Sequence, residues 1–320
     1  MRFIDAAAVE AALAYPRLVD ILEAAFRTGA IAPLRHHHPI KLDGRPDAML
    51  LLMPAWQSAA PGAATAGRFA GIKLVTVFPD NGARYGQPAI YGAYLLISAD
   101  TGEPLALMDA PKLTVWRTAG ASALASRFLS RTDASRLVVV GAGALAPYLV
   151  RAHASVRPIT DIAVWNRNAA GAARVVGELA THGIAARVAD DLEAAVRSAD
   201  IVSTATLSET PIVRGAWLSP GAHLDCVGAY KPTMRESDDD CVRRARIWVD
   251  TRAGGLSEAG DILIPLKSGV IRESDIEGDL AELAHGTATR RGGADEITMF
   301  KSVGAAIEDL AAAIAVYEHA

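Results

Sequence analysis

The chain has 320 residues, 51% of them hydrophobic and 21% charged, with a formal net charge of -4 at pH 7. That length exceeds one typical domain and supplies ample core, so two domains are expected, and the slight negative charge without a long basic run excludes a general nucleic-acid binder. No stretch approaches the roughly 18 unbroken apolar residues of a membrane span. The start Met1-Arg-Phe-Ile-Asp5 lacks a signal-peptide pattern, and Cys226 and Cys241 have no metal-ligand spacing, which together predict a cytoplasmic protein with free thiols.

Residues 6–28 carry apolar side chains at helical spacing, and Pro33 and Pro39 break the pattern. Strand-like segments follow at residues 48–53, 71–78 and 91–98, and the turn at residues 99–102 leads to another apolar run at 104–108. The Ala/Gly-rich stretch from Ala59 to Gly67 reads as a flexible surface loop. A helix is expected from about Leu113 to Leu129. The triplet His36, His37 and His38 invites a metal site. Successive residues of an extended chain point to opposite faces, however, and no Cys, Asp or Glu stands at ligand spacing, so no metal is expected.

The most informative segment is Arg136-Leu-Val-Val-Val-Gly-Ala-Gly-Ala-Leu-Ala146, an apolar strand running into a glycine turn that opens a helix. Gly141 permits the tight turn, Gly143 lets backbone approach a pyrophosphate, and Ala146 fills the small-residue position that lets helix pack on sheet. The backbone of Ala142, Ala144 and Leu145 and the positive end of the helix then meet the phosphates. A helix-compatible stretch to about Val156 and a strand at residues 161–165 complete a βαβ unit ending at Asn166 and Arg167. A carboxylate there would accept from the ribose 2′-hydroxyl of NAD. Asn166 and Arg167 instead offer donors and a cation, which predicts NADPH with NADH possible; the alternative is that Arg167 only caps an exposed loop.

Elements continue to alternate through residues 185–188, 192–198, 201–204, 223–227 and 247–249, and the acidic run at 238–240 reads as a solvated helix start. Thr204 and Thr206 follow the strand at 201–203 at the carboxyl edge of the sheet, and Val227 ends another strand, so all three join the cofactor-binding set. Residues 303–317 read as an apolar, alanine-rich helix that returns to the first half. The predicted fold class is α/β. A Rossmann-type dinucleotide-binding domain spans residues 122–297, and a discontinuous α+β substrate-binding and dimerisation domain spans 1–121 completed by 298–320.

The string Lys112-Leu-Thr-Val-Trp-Arg-Thr-Ala-Gly-Ala-Ser-Ala123, the glycine turn and Phe300-Lys-Ser-Val-Gly304 resemble the ornithine cyclodeaminase and mu-crystallin family. Ile72-Lys-Leu-Val-Thr76, Val164-Trp-Asn-Arg167, Pro220-Gly-Ala-His223 and Glu258-Ala-Gly-Asp261 fall in the family's order and spacing, so the resemblance covers nearly the whole chain. Within it, Arg35-His-His-His-Pro39, Met53-Pro-Ala-Trp56 and the segment from Val227 to Glu236 look most like the Δ1-pyrroline-2-carboxylate reductase branch. The resemblance implies NAD(P)H-dependent reduction of cyclic ketimines: Δ1-pyrroline-2-carboxylate to L-proline and Δ1-piperideine-2-carboxylate to L-pipecolate. It also implies a homodimer built through the first half of the chain. Alternatives are an alanine or other amino-acid dehydrogenase, an ornithine cyclodeaminase, and a non-catalytic protein that holds NADPH and a small acid. Two departures stand out. Leu145 replaces a frequent Gln of the glycine turn, and Tyr230 stands where cyclodeaminases have their catalytic aspartate, which weakens the cyclodeaminase reading.

A cyclic α-imino acid needs a cation for its carboxylate and a proton for its nitrogen. By resemblance Arg117 and Arg35 are substrate-binding positions, and the planar fork of Arg117 suits a bidentate grip on a carboxylate. Lys73 lies on an apolar strand, where a charge is costly unless it faces a site or a partner, so it is assigned to the pocket as carboxylate ligand or proton donor. By resemblance Glu258 lines the pocket and Ser302 approaches the nicotinamide end.

Overall fold

The structure, a computed structural model, describes residues 1–57 and 68–320. The expected loop from Ala59 to Gly67 lies outside the described residues. The chain divides into two compact units, Met1–Arg117 with Ala305–Ala320, and Thr118–Gly304.

The first unit is a six-stranded sheet with helices on one face. In chain order it contains β1 (Arg2–Ile4), α1 (Ala6–Ala12), α2 (Tyr15–Thr28), β2 (His36–Ile40), β3 (Ala48–Trp56), β4 (Phe69–Val77), α3 (Asn81–Tyr85), β5 (Ile90–Ser98) and β6 (Pro104–Asp109). The helix α4 (Ala110–Leu129) follows. The single helical stretch expected over residues 6–28 is two helices, because Pro16 starts the second at its first turn, where a missing N–H costs nothing. The sheet order is β1-β6-β5-β4-β3-β2, antiparallel except for the parallel β1/β6 edge. Residues paired across such strands share a face. Met53, Lys73, Tyr94 and Met108 therefore form one row on the face where Leu51, Leu96 and Ala106 are also buried. The last helix of the chain, α12 (Ala306–His319), packs against β3, β4, β5 and α2. The opposite face carries Leu50, Leu52, Ile72, Leu95 and Leu107, all half-buried, together with Leu74 at 40% and Phe3 at 77% exposure.

The second unit is an eight-stranded parallel sheet. After α4 come β7 (Arg136–Val140), α5 (Ala146–Val156), β8 (Asp161–Trp165), α6 (Ala169–Thr181), β9 (Arg187–Val188), α7 (Leu192–Ser198), β10 (Ile201–Thr204) and β11 (His223–Cys226). Then follow α8 (Asp239–Arg244), β12 (Arg246–Val249), α9 (Arg252–Gly255), α10 (Gly260–Lys267), β13 (Ile276–Asp279), α11 (Leu280–His285) and β14 (Thr298–Lys301). The order is β13-β12-β14-β11-β10-β7-β8-β9, all parallel. Such strands are covered on both faces and read as continuous apolar runs. In β7, Val138 and Val140 enter one core cluster while Leu137 and Val139 enter the other. The Rossmann-type reading of this half holds. The last strand, β14, inserts between β11 and β12, so the chain leaves this unit at Gly304 and not at residue 298. Asp238 caps α8 through its side chain, as the acidic run predicted.

A buried carboxylate on β11 gathers several of the polar groups around it. Asp225 accepts from Ser122 Oγ at 3.0 Å and Ser203 Oγ at 2.6 Å and lies 3.1 Å from His153 Nε2. Next to it on β11, His223 places Nδ1 2.9 Å from Thr298 Oγ1. Burial, opposed by Asp225 and aided by His153, Arg291 and Arg157, pushes the His223 imidazole down to about 3. An unfolded histidine binds its proton near pH 6.5, so the unfolded chain holds a proton that folded His223 refuses, and stability falls as pH drops from there toward 3. His223→Leu removes that slope, and Thr298 Oγ1 keeps Leu129 O and Arg291 as partners. Urea midpoints of the variant are expected to lose about one proton of pH dependence between roughly pH 6.5 and 4.5; an unchanged slope would refute the assignment.

Candidate functional site

The glycine turn stands where the chain order reverses across the second sheet, with β8 on one side of β7 and β10 on the other. Ligands of open α/β sheets lie at this point, outside the carboxyl ends of the strands. Gly141 has φ +115, and a Cβ there would stand 2.6 Å from Ala205 O, so only glycine fits. Gly143 is exposed and has nothing within 4 Å of an added Cβ. Helix α5 begins at Ala146 with Leu145 as N-cap, no side-chain cap, no acidic residue in its first turn and Pro147 in the first turn. An open glycine beside an uncapped positive helix end fits a dinucleotide pyrophosphate. Gly141, Ala142, Gly143, Ala144 and Leu145 are therefore the residues that would hold it.

At the end of β8, Asn166 is half-buried, and its amide nitrogen donates to Asn168 O at 2.9 Å. Arg167 is exposed. A second cation is nearby: Arg174 on α6 donates to Ala142 O at 2.5 Å, back into the glycine turn.

The other expected cofactor residues take more specific roles. Thr206 is engaged by a buried carboxylate, Glu236, whose Oε1 accepts from Thr206 N at 2.6 Å and Thr206 Oγ1 at 2.8 Å. Glu236 Oε2 accepts from Gly228 N at 2.8 Å and Ala229 N at 3.0 Å. One side chain thus joins the loops that follow β10 and β11, and burial pushes its carboxyl above the usual range against the pull of Lys301. Asp261 accepts from Glu236 N, Ser237 N and Ser237 Oγ through one oxygen, and its other oxygen lies 3.1 Å from Lys301 Nζ. Ser302 donates its hydroxyl to Asp250 at 2.9 Å, and the same oxygen accepts from Val303 N and Gly304 N. Ser302 therefore fastens the strand that precedes it. Thr204 and Val227 are buried at the ends of their segments, paired by the bond from Val227 N to Thr204 O. Glu258 is half-buried in this unit, before α10.

In the first unit Lys73 and Arg117, both expected, meet two residues that were not. Lys73 is 2% exposed, and its Nζ lies 2.9 Å from Asp309 Oδ1 and 2.8 Å from Oδ2, the latter an ion-pair contact outside hydrogen-bond geometry. Arg117 donates Nε to Asp309 Oδ1 at 2.8 Å and Nη1 to Glu308 Oε2 at 2.7 Å. The free bidentate fork expected of Arg117 is corrected here: two of its nitrogens are already engaged by carboxylates, and Nη2 is left for a third group. Glu308 and Asp309 sit in the first turn of α12, where the helix dipole favours carboxylates. Their signal in the sequence was two acids inside an otherwise apolar helix, which demands cationic partners. Burial first, then Arg117 and Arg35, bring the Lys73 ammonium down to about 8, while Asp309 pulls the other way. Half-buried Arg35, just before β2, is thus a third cation facing the group. Tyr94, directly across from Lys73, lays its ring over Gly71, where a Cβ would stand 2.2 Å from the phenol oxygen. That oxygen is buried without a hydrogen-bond partner among the described residues.

The three histidines form edge strand β2, with His36 and His38 ring to ring at 6.3 Å, and no metal-competent cluster occurs among the described residues.

These features define an α/β protein of the dinucleotide-binding class that also carries a buried cluster of cations and carboxylates. The chain belongs to the ornithine cyclodeaminase/mu-crystallin family, whose model matches residues 2–320. It is 37% identical over 322 residues to the Δ1-pyrroline-2-carboxylate reductase of Colwellia psychrerythraea, covering 99% of each chain. Among solved structures it is similar to Thermococcus litoralis Δ1-pyrroline-2-carboxylate reductase in complex with NADH and L-proline, with TM-score 0.91, 32% identity, and 100% and 97% of the two chains covered. An archaeal alanine dehydrogenase dimer with bound NAD matches with TM-score 0.88 and 29% identity over 100% and 95% of the chains.

Gly141 and Gly143 separate fold from binding. Gly141→Ala is expected to lower the melting temperature, since backbone strain and a 2.6 Å contact must be relieved. Gly143→Val, into open space, should leave stability within about 0.5 kcal/mol and abolish dinucleotide binding measured by fluorescence quenching.

Proposed function

We propose that this protein is an NAD(P)H-dependent oxidoreductase that reduces the C=N bond of cyclic α-imino acids. Δ1-Pyrroline-2-carboxylate would give L-proline and Δ1-piperideine-2-carboxylate would give L-pipecolate. The observation that carries the reading is the coexistence in one chain of a dinucleotide cradle and a buried lysine–arginine cluster whose ammonium sits near 8. The names and bound ligands of the similar proteins support it. The cofactor, when bound, supplies the hydride to the imine carbon. Arg117 and Arg35 attract the substrate carboxylate, and the cluster with Glu308 and Asp309 carries one net positive charge while Lys73 is protonated. Lys73 passes a proton to the ring nitrogen, so that hydride plus proton convert the imine to a secondary amine, and a lysine near 8 is poised for this at neutral pH. One ring methylene is worth only about 1–3 kcal/mol in a pocket, which supports use of both ring sizes.

Two finer readings accompany this one. Arg167, with Arg174 beside the turn, favours the 2′-phosphate of NADPH over the free hydroxyl of NADH. The open apolar face with Phe3, Leu74, Leu95 and Leu107 is the surface of a homodimer, because contiguous apolar patches of this kind are normally covered.

The primary test is NAD(P)H oxidation followed at 340 nm with freshly prepared Δ1-pyrroline-2-carboxylate, beside pyruvate plus ammonia and L-ornithine. Turnover of the imine alone is expected, and turnover of pyruvate plus ammonia alone would replace the proposal with an amino-acid dehydrogenase. Arg167→Asp should shift the NADPH:NADH ratio of kcat/KM toward NADH by at least about tenfold, and an unchanged ratio would refute the phosphate contact. Leu74→Glu should convert a dimer in light scattering to monomer without loss of helical circular dichroism; a wild type that is already monomeric would remove the dimer reading.

A further inference from the structure

Asp309 touches both Lys73 and Arg117. A single oxygen, Oδ1, takes Lys73 Nζ at 2.9 Å and Arg117 Nε at 2.8 Å, and the carboxylate is itself wholly buried. The strand that carries Lys73 and the helix that carries Arg117 meet at this carboxylate through α12. Burial, Arg117 and half-buried Arg35 all favour the neutral amine. Glu308 is engaged with Arg117 Nη1, and Tyr94, facing Lys73 across the strand pair, offers a neutral hydroxyl. Without Asp309 the cluster would keep only Glu308, bonded to Arg117, against its buried cations, and the lysine would shed its proton more readily. The Tyr94 phenol, across from Lys73, is a fully buried donor without an acceptor among the described residues. Such a donor is costly unless a ligand atom or a water completes it.

We propose that Asp309 is a positioning residue for ketimine reduction: its one carboxylate keeps Lys73 an ammonium ion and fixes both Lys73 Nζ and Arg117 Nε, so that proton donor and carboxylate anchor are held as one rigid pair. The inference rests on the reductase reading for its kinetics. In each turnover the proton leaves Lys73 Nζ for the imine nitrogen as the hydride reaches carbon. The neutral amine then stands beside Asp309 and regains a proton from solvent, which the adjacent carboxylate favours. Asp309 itself makes no bond to substrate.

The test combines kinetics with a direct titration of the lysine. In wild-type protein, kcat/KM for Δ1-pyrroline-2-carboxylate should be flat at lower pH and fall as pH rises through about 8, because the proton to be donated is lost there. In Asp309→Asn the fall should move to lower pH by at least about one unit, which lowers the rate about twofold at neutrality and about tenfold well above pH 8, while affinity for NAD(P)H is unchanged. Asp309→Glu keeps the charge but displaces it by a methylene; it should hold the pH profile near that of wild type and raise KM for the imine at least about fivefold through the shifted Arg117. Lysine labelled with 13C at Cε, with the Lys73 resonance assigned from Lys73→Arg, reports the same titration by NMR without any turnover. If the imine is not reduced at all, the reductase reading fails, and the NMR shift between wild type and the Asp309 variants still decides the role of Asp309. A Lys73 titration that is identical in wild type and Asp309→Asn overturns the proposal. Should the Asn variant not fold, a Glu variant with wild-type KM and wild-type Lys73 titration overturns it equally.

Discussion

Buried charge must be paired, and in this protein the pairing reaches across the whole chain. Lys73 and Asp309 lie 236 residues apart, Arg117 and Asp309 192 apart. Removing one partner from a buried pair of this kind typically costs about 3–5 kcal/mol, because the survivor is left unsolvated. The constraint therefore does two things. It holds the C-terminal helix α12 against strands β3, β4 and β5, closing a unit whose chain was interrupted by 187 residues of another fold. It also concentrates cations in one buried cluster. Structural and chemical demands meet in the same four side chains.

The second unit applies the same rule to a different end. Glu236 gathers four donors from two loops, Asp261 answers Lys301, Asp250 gathers the residues after β14, and Asp225 is satisfied by Ser122, Ser203 and His153. Three of these carboxylates sit at or beyond the carboxyl ends of parallel strands, the edge along which dinucleotides bind. There the chain must leave the sheet in loops whose amides lack strand partners, and a buried carboxylate with several acceptor sites satisfies them in compact form. The loops beside the glycine turn are thereby tied together by side-chain hydrogen bonds. Thr206 and Ser302, expected from sequence beside the cofactor, also anchor those loops.

What could be read beforehand was local. The strand-turn-helix of the glycine motif, β8 and the acidic start of α8 follow from residues within one or two turns of each other, and the structure has them at the expected positions. The unforeseen break at Ala14 is also local, since Pro16 opens a new helix. By contrast β14 was not recognised as a strand. The four residues Thr298 to Lys301 are too few to show a period that distinguishes strand from helix, and the strand pairs with β11 on one side and β12 on the other, partners set by the tertiary fold.

The sequence by itself determined the class of fold, the cradle and the identity of the two cations, because strand period, glycine turn chemistry and the cost of a charge on an apolar strand are properties of short segments. Only the tertiary structure decided what those cations face. Asp309 and Glu308 lie on a helix far along the chain, and whether two acids in an apolar helix turn to solvent or into a sheet is settled by which surface the helix packs against. The same holds for Arg117: its residue type promised an open fork, and its neighbours in space have already claimed two of its nitrogens. Electrostatic partners are chosen by proximity after folding, and proximity is what a linear sequence does not contain.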